Sequence, residues 1–498
     1  MNTFAEMMKN LAQNDRALTK TTNGATALST TSSALVDLFG TVGAMRHYKE
    51  DDIIQKVKAA MAEDPVLTLK MLFYARDIRG GLGERRVFRI AIRYLAVMYS
   101  EYVKKVIPFI GFYGRFDDLY ELLDTNCEDA MWSYMSAQFE DDLNKMKKGE
   151  PISLLAKWIK TPDASSKRTR HLGIVTAKKL GYTVYEFKRL LRKMRKYLRV
   201  VERQMSANLW SGIDYEIVPA RAAMLYRKAF SRHDEIRYRA YIDKVSSGKA
   251  KINAATLYPY DIVERIWHNG SYEDRQVLEA QWKSLPNFVE GENNVLIMAD
   301  VSGSMWGRPI CTSIGLAIYF AERNKGAYKD LFLTFSERPQ FVKIDPTKSL
   351  YEKIRNAEQA DWGNNTNLAS AFDRILDLAI RNNTSQENLP KSLIIITDME
   401  FDRCVSNARS WETFYETMSR RYREAGYTLP NVVFWNVNSV QDTFHADANR
   451  RGVQLVSGQS TAIFKTLMGS IDKTPYEYML YVLDDERYSI IEYALGSV

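Results

Sequence analysis

The chain has 498 residues, 46% apolar and 26% charged, which suits a globular protein large enough for two or three domains. Its net charge of +8 is unevenly placed: residues 151–210 alone carry +12, which leaves −4 for the remainder. Three cysteines (Cys127, Cys311 and Cys404) without Cys-x-x-Cys spacing, and five scattered histidines, argue against a disulfide framework and a zinc site and fit a reducing, cytoplasmic setting. No apolar run is long enough to span a bilayer and no basic-plus-apolar leader opens the chain, so no membrane partner is expected.

Residues 1–28 are polar with little periodicity and read as a flexible arm. From residue 29 to about 288 the pattern is helical, with apolar residues three and four apart, as in Leu67, Met71, Leu72 and Ala75. Turn signals interrupt it at Gly80-Gly81, Gly111, Gly114, Thr161-Pro162, Gly181 and Ser247-Gly248. Many modest helices without strands predict an all-α helical-repeat domain with degenerate repeats. Arg79-Gly-Gly-Leu-Gly-Glu-Arg lacks the Gly-Lys-Ser/Thr ending of a phosphate loop and reads as an interhelix turn.

Pro286, Gly291, Asn293 and Asn294 mark a linker, after which the texture changes. Apolar runs at 295–299, 331–335, 393–397 and 432–435 alternate with helical stretches near 312–324, 368–379 and 410–424. Uniformly apolar runs suit strands buried on both faces, and the alternation predicts a parallel, doubly wound, Rossmann-like α/β sheet over 292–475. Residues 476–498, rich in Tyr, Leu and Ile, are expected to pack back on the body.

Two of these runs end in aspartate, Asp300 and Asp398. Carboxyl ends of strands line the ligand crevice of an open α/β sheet, so the two should lie side by side. Asp300-Val-Ser-Gly-Ser304 offers two hydroxyls after the first strand, and Trp362-Gly-Asn-Asn-Thr366-Asn can deliver a third. Asp300, Ser302, Ser304, Thr366 and Asp398 thus form an all-oxygen set suited to Mg²⁺ or another hard divalent cation such as Mn²⁺ or Ca²⁺. An open coordination position on such an ion attracts an external carboxylate or phosphate. The plainer alternative is that Asp300 and Ser302 merely cap the next helix. A metal-dependent hydrolase would need a general base, for which only Glu400 and Asp402 lie near in sequence, and either could be an ordinary surface acid.

The second candidate surface is basic. Over residues 186–203, Phe187, Leu190, Leu191, Met194, Leu198 and Val201 form an apolar stripe on a single predicted helix. Lys188, Arg189, Arg192, Lys193, Arg195, Lys196 and Arg199 cover the rest, and Lys157, Lys160, Lys167, Arg168, Arg170, Lys178 and Lys179 lie upstream. Such a surface holds phosphate backbones, or is simply a solvated face balanced by the acidic remainder.

The sequences Asp300-Val-Ser-Gly-Ser304, Asp361-Trp-Gly-Asn-Asn-Thr-Asn367 and Thr397-Asp-Met-Glu-Phe-Asp402 resemble the von Willebrand A-type domain of the TROVE and Ro autoantigen superfamily, in its DUF2828-type branch. Arg76-Asp-Ile-Arg-Gly-Gly, Gly114-Arg-Phe-Asp-Asp118, Leu154-Leu-Ala-Lys-Trp-Ile, Val201-Glu-Arg-Gln-Met-Ser206 and Val218-Pro-Ala-Arg are similar to the same branch. The resemblance implies a ring of HEAT-like repeats that binds single-stranded RNA ends or small structured RNA. It also implies a metal-ion-dependent adhesion site on the five oxygen residues. The expectation is therefore a non-catalytic, Ro-like RNA-binding protein with a cation in its A domain for a protein carboxylate. The alternative is a protein–protein adaptor, or a structural component of a larger particle, acting through the metal site.

Overall fold

The computed structural model describes residues 17–267, 272–290, 294–335, 338–360, 362–363, 366–402, 412–470 and 472–496. It is rich in helix, with a separate mixed six-stranded sheet in the C-terminal part, and divides into two compact units. One comprises Met1–Thr68 and Leu257–Asp485, the other Leu69–Thr256 and Glu486–Val498. Among the described residues no helix is long and apolar enough to cross a membrane.

In the first unit, β1 (Leu18–Lys20) and β2 (Thr26–Leu28) pair as an antiparallel hairpin, where the sequence had suggested a loose arm. The large sheet has β3 (Val295–Asp300), β4 (Leu331–Phe335), β5 (Gln340–Lys343), β6 (Ser392–Thr397), β7 (Asn431–Asn436) and β8 (Val453–Ser457). Their spatial order is β5-β4-β3-β6-β7-β8. All neighbours are parallel except β4 and β5, so the expected all-parallel sheet is corrected to a mixed one with an antiparallel edge. β5 begins only five residues after β4 ends, and so short a connection permits only antiparallel pairing. Every residue of β3, β6 and β8 is buried, as expected for strands covered on both faces. The chain leaves β3 towards β4 on one side and resumes at β6 on the other, which puts the topological switch point between β3 and β6.

Glycine is required where the N-terminal segment meets β8. A Cβ on Gly43 would lie 2.5 Å from the Ser457 carbonyl oxygen, while the Gly43 N–H donates to Ser457 Oγ at 2.9 Å.

The second unit is helical, from the later turns of Pro65–Arg76 through Glu235–Ser246, with Glu486–Leu495 added from the chain's end. Two of the family-like motifs meet in its core. Arg76 donates from Nε to Asp118 Oδ2 at 2.8 Å, and Arg89 from Nε to Oδ1 at 2.6 Å, with Arg76 and Asp118 both buried. A Cβ on Gly114 would lie 2.7 Å from each partner of the Arg76–Asp118 pair, so the glycine makes room for it. The expected single C-terminal segment is divided. In the first unit Tyr478, on Pro475–Leu483, packs edge-on against Phe39, and in the second Tyr488 stacks on Tyr113 at 5.8 Å.

The predicted continuous helix over 186–203 is broken. Val184–Tyr197 is helical, started by a Thr183–Glu186 capping box, and Val201–Ser206 is a separate short helix. Arg199 between them has φ 49°, a left-handed conformation uncommon outside glycine, and Val200 is extended. The Arg199 and Val200 N–H groups donate to the Lys196 and Arg195 carbonyls, closing the helix end in the Schellman pattern.

Candidate functional site

Asp300 is the last residue of β3 and Asp398 the first after β6, the neighbours flanking the switch point. Asp300 is wholly buried: Oδ1 accepts from the Ser302 N–H at 2.9 Å and Oδ2 from Thr397 Oγ1 at 2.7 Å. Thr397 thus ties the end of β6 to the end of β3. Asp398 is also buried, and its Oδ1 accepts from the Glu400 N–H at 3.1 Å. Met399 between them has φ 71°, a strained conformation for a residue with a side chain.

Ser302 stands at the N-cap position of the 3-10 turn Gly303–Met305, though its side chain makes no capping hydrogen bond, and the longer helix Arg308–Arg323 is preceded by Gly307. Ser302 is buried, Ser304 is exposed, and their hydroxyls lie 3.2 Å apart. Asn367, not Thr366, caps Leu368–Arg381 by accepting from the Ser370 N–H. Thr366 is instead pinned by Asp402: its N–H donates to Asp402 Oδ2 at 2.8 Å, and the Asp402 N–H donates back to the Thr366 carbonyl at 3.1 Å. This leaves Thr366 Oγ1 and Asp398 Oδ2 buried without a hydrogen-bond partner among the described residues, which is unusual for buried polar atoms.

Electrostatics sharpen the point. Burial, then the neighbouring Asp398 carboxylate, push the Asp300 pKa up to about 7. Burial also raises Asp398, against the pull of the nearby Ser304 hydroxyl and the Glu400 N–H. Among the described residues no three His, Cys, Asp or Glu are placed to hold a metal. A cation here would rest on two carboxylates and the hydroxyls of Ser302, Ser304 and Thr366. Two orphaned buried oxygens and two acids short of positive charge fit a hard cation. Asp361, Asn364 and Asn365 of the Thr366 loop lie outside the described residues.

Sequence reasoning did not find the groups behind the site. Glu400 is buried, not an ordinary surface acid. Its Oε2 accepts from the Thr22 N–H at 2.5 Å and from Gln441 Nε2 at 3.3 Å, while Oε1 has no partner among the described residues. The Thr21 hydroxyl donates to the Phe401 carbonyl at 2.6 Å and Asn23 Nδ2 to the Glu400 carbonyl at 2.7 Å. The β1–β2 hairpin therefore holds the loop after β6. No local pattern announces contacts made across nearly four hundred residues.

The basic residues fall on Lys167–Lys179, on Val184–Tyr197 and beside them, all in the helical unit. Phe187, Leu191 and Met194 are buried beneath the second helix. Several cations are engaged locally. Arg195 donates to the Ala156 and Ile159 carbonyls, and Arg170 to those of Ala164 and Ser165. Lys188 pairs with Asp163 at 2.6 Å, Lys179 lies 3.9 Å from Glu128, and Lys157 lies over the Trp158 ring. Arg189 faces the carboxylate of Glu186, which it helps to lower in pKa. The side chains of Lys167, Arg168, Lys178, Arg192, Lys193, Lys196 and Arg199 are exposed and make no ion pair or hydrogen bond among the described residues.

The protein therefore combines an α/β unit, with oxygen side chains gathered at its switch point, and a helical unit with several exposed cations that pair with no acid among the described residues. Residues 294–487 match the model of a domain of unknown function, DUF7788. Residues 21–99 and 177–292 match that of another, DUF2828, which supports that part of the family resemblance. The chain is 29% identical over 506 aligned positions to "Uncharacterized protein L728" of Acanthamoeba polyphaga mimivirus, covering 94% of this chain and 87% of that protein.

Proposed function

We propose that this is a non-catalytic, Ro-like RNA-binding protein. Its helical unit, a variant of the HEAT-like ring, holds RNA phosphates, and its α/β unit is a von Willebrand A-type domain with a metal-ion-dependent adhesion site. The observation that carries the reading is the set of exposed, unpartnered cations on Lys167–Lys179 and Val184–Tyr197. Uncompensated charge on a rigid helical face attracts a polyanion through its backbone, not through its base sequence. In the α/β unit, Asp300, Asp398, Ser302, Ser304 and Thr366 would hold Mg²⁺, Mn²⁺ or Ca²⁺. The ion would offer an open position to an external carboxylate.

Filter binding of a single-stranded RNA at low salt tests the first part. Arg195 is kept, because its guanidinium holds two backbone carbonyls. Changing Lys178, Arg192, Lys193 and Lys196 to Ala should weaken binding by more than about tenfold. Equal binding by the variant, or none by the parent, sinks the proposal.

A second reading, a protein–protein adaptor acting through the ion, is favoured by Trp306. This indole stands 74% exposed two residues beyond Ser304, and a large aromatic beside an open coordination site is the composition of a binding hot spot. Partner capture that chelation abolishes and nuclease leaves intact would select this reading.

A further inference from the structure

The break at Arg199 creates a cleft that the basic helix alone would not have. The chain turns there, runs through Val201–Ser206 and returns along residues 209–219, enclosing a cavity of about 420 Å³ within the helical unit. That volume lies within the range of small-molecule sites, roughly 300–1,000 Å³. It is lined on one side by Arg195, Lys196, Arg199 and Arg203, against a single acid, Asp214. The side chains of Lys196, Arg199 and Arg203 are exposed and make no ion pair among the described residues. Asp214 is turned to its own backbone, accepting from the Glu216 N–H at 3.2 Å. The far wall is apolar and open: Leu209 is 53% and Ile217 50% exposed, and both line the cavity.

We infer that this cleft binds a nucleoside phosphomonoester, its base against Leu209 and Ile217 and its phosphate against Arg199 and Arg203. Guanidinium groups present paired donors that match phosphate oxygens, and a terminal phosphate carries close to two negative charges where an internal phosphodiester carries one. Surplus positive charge beside an apolar wall suits that combination better than a carboxylate or a bare sugar. A cavity of this size takes one nucleotide, not a run of them. The same chemistry comes from two sources, a free mononucleotide or the phosphorylated end of an RNA strand. The second rests on the RNA-binding reading; the first does not.

The test uses the full chain and a variant carrying Arg199→Gly and Arg203→Ala. Glycine accepts the left-handed backbone at position 199, so the fold is kept. The probes are adenosine monophosphate, and a ten-nucleotide RNA bearing a 5′-phosphate, a 3′-phosphate or neither. Saturable binding of the mononucleotide, weakened about tenfold or more in the variant, is expected. A phosphorylated end that binds about tenfold tighter than hydroxyl ends, with the advantage lost in the variant, assigns the RNA end as source. Equal binding of all three oligomers assigns the free nucleotide. If no oligomer binds but the mononucleotide does, the RNA reading fails and the cleft stands. Absence of saturable mononucleotide binding, or identical binding by the variant, overturns the inference.

Discussion

His445 offers a test of the α/β unit that needs no ligand. Its ring is completely buried, with centroids of Phe401, Phe434 and Phe414 at 4.6, 5.3 and 6.4 Å. Nε2 lies 3.4 Å from the Met399 carbonyl oxygen, and Nδ1 has no partner among the described residues. Desolvation lowers its pKa from 6.5 to about 4. The unfolded chain takes up a proton near pH 6.5 that the fold refuses until about pH 4, so the group's contribution is complete above 6.5 and lost as pH falls between the two. The whole shift corresponds to roughly 3 kcal/mol, of which about 2 kcal/mol is gone by pH 5. The measurement is urea unfolding at pH 7 and pH 5, read by hydrogen exchange at β7, on the parent and on His445→Leu, which has similar bulk and no proton to gain. Comparing the two proteins cancels the other titrations. These include the raised carboxylates of Asp300 and Asp398, whose effect is opposite in sign because they favour the fold as pH falls. The parent should lose about 2 kcal/mol more than the variant between the two pH values. Equal losses would refute the assignment of a neutral, desolvated imidazole.

Three further outcomes follow from the geometry. Mg²⁺ at a hundred times its dissociation constant should stabilise the α/β unit by about 2.7 kcal/mol in a thermal melt, and Asp300→Asn with Asp398→Asn should remove the response. Asp118→Ala strips the buried Arg76 of its partner and should destabilise the helical unit by roughly 3–5 kcal/mol in urea unfolding, well beyond the effect of a surface change. If Lys178, Arg192, Lys193 and Lys196 each contact a phosphate, replacing them should flatten the slope of log affinity against log salt by about 3 for single-stranded RNA, and an unchanged slope would place the contacts elsewhere.

The sequence made β3, β4, β6 and β7 legible because buried strands are uniformly apolar and end in turn or acid residues. β5 (Gln340-Phe-Val-Lys) is a four-residue edge strand with polar ends and a half-exposed face, too short to stand out. β8 hid behind Gln454, a buried amide that a simple apolar count rejects. Its Nε2 donates to the Ser470 and Lys473 carbonyls, later in the chain, while Oε1 has no partner among the described residues. Asp300, Ser302 and Asp398 were legible as chemistry at predicted strand ends, and the structure brings those ends together at the switch point. The roles of Asp402, Glu400 and the β1–β2 hairpin were not, since each depends on a partner remote in sequence. The Arg199 break was equally hidden, because nothing marks an arginine as left-handed until the helix end that demands it is formed. The family-like motifs Arg76-Asp-Ile-Arg-Gly-Gly and Gly114-Arg-Phe-Asp-Asp118 carried no structural role in the sequence, and their members form a buried ion pair and the glycine that admits it.

That ion pair bears on the strand ends in the other unit, because the two sets of buried acids have different partners. In the helical unit Asp117 and Asp118 are matched by guanidinium groups, while Asp142 is met by Gln138 and Ser153. Burial alone would raise Asp117, but Arg115, Arg85 and Arg89 outweigh it and its pKa is lowered; Asp118 receives Arg76 and Arg89. In the α/β unit Asp300 and Asp398 are buried as deeply and, among the described residues, meet hydroxyls, backbone N–H groups and other carboxylates, each other and Glu400, so both are raised. Hydroxyls and amides compensate a carboxylate weakly compared with a guanidinium, and two acids sharing one crevice compound the deficit. An arginine there would have cured the deficit permanently, as it does at Asp118. Among the described residues these strand ends keep two acids, two oxygens without a hydrogen bond and an exposed Ser304, with no protein cation beside them, which supports the proposed cation site. The same comparison explains why Asp118→Ala and the Asp300/Asp398 double change should act oppositely: the first strands a charge, whereas the second removes a repulsion and should leave the cation-free unit at least as stable as the parent near pH 8.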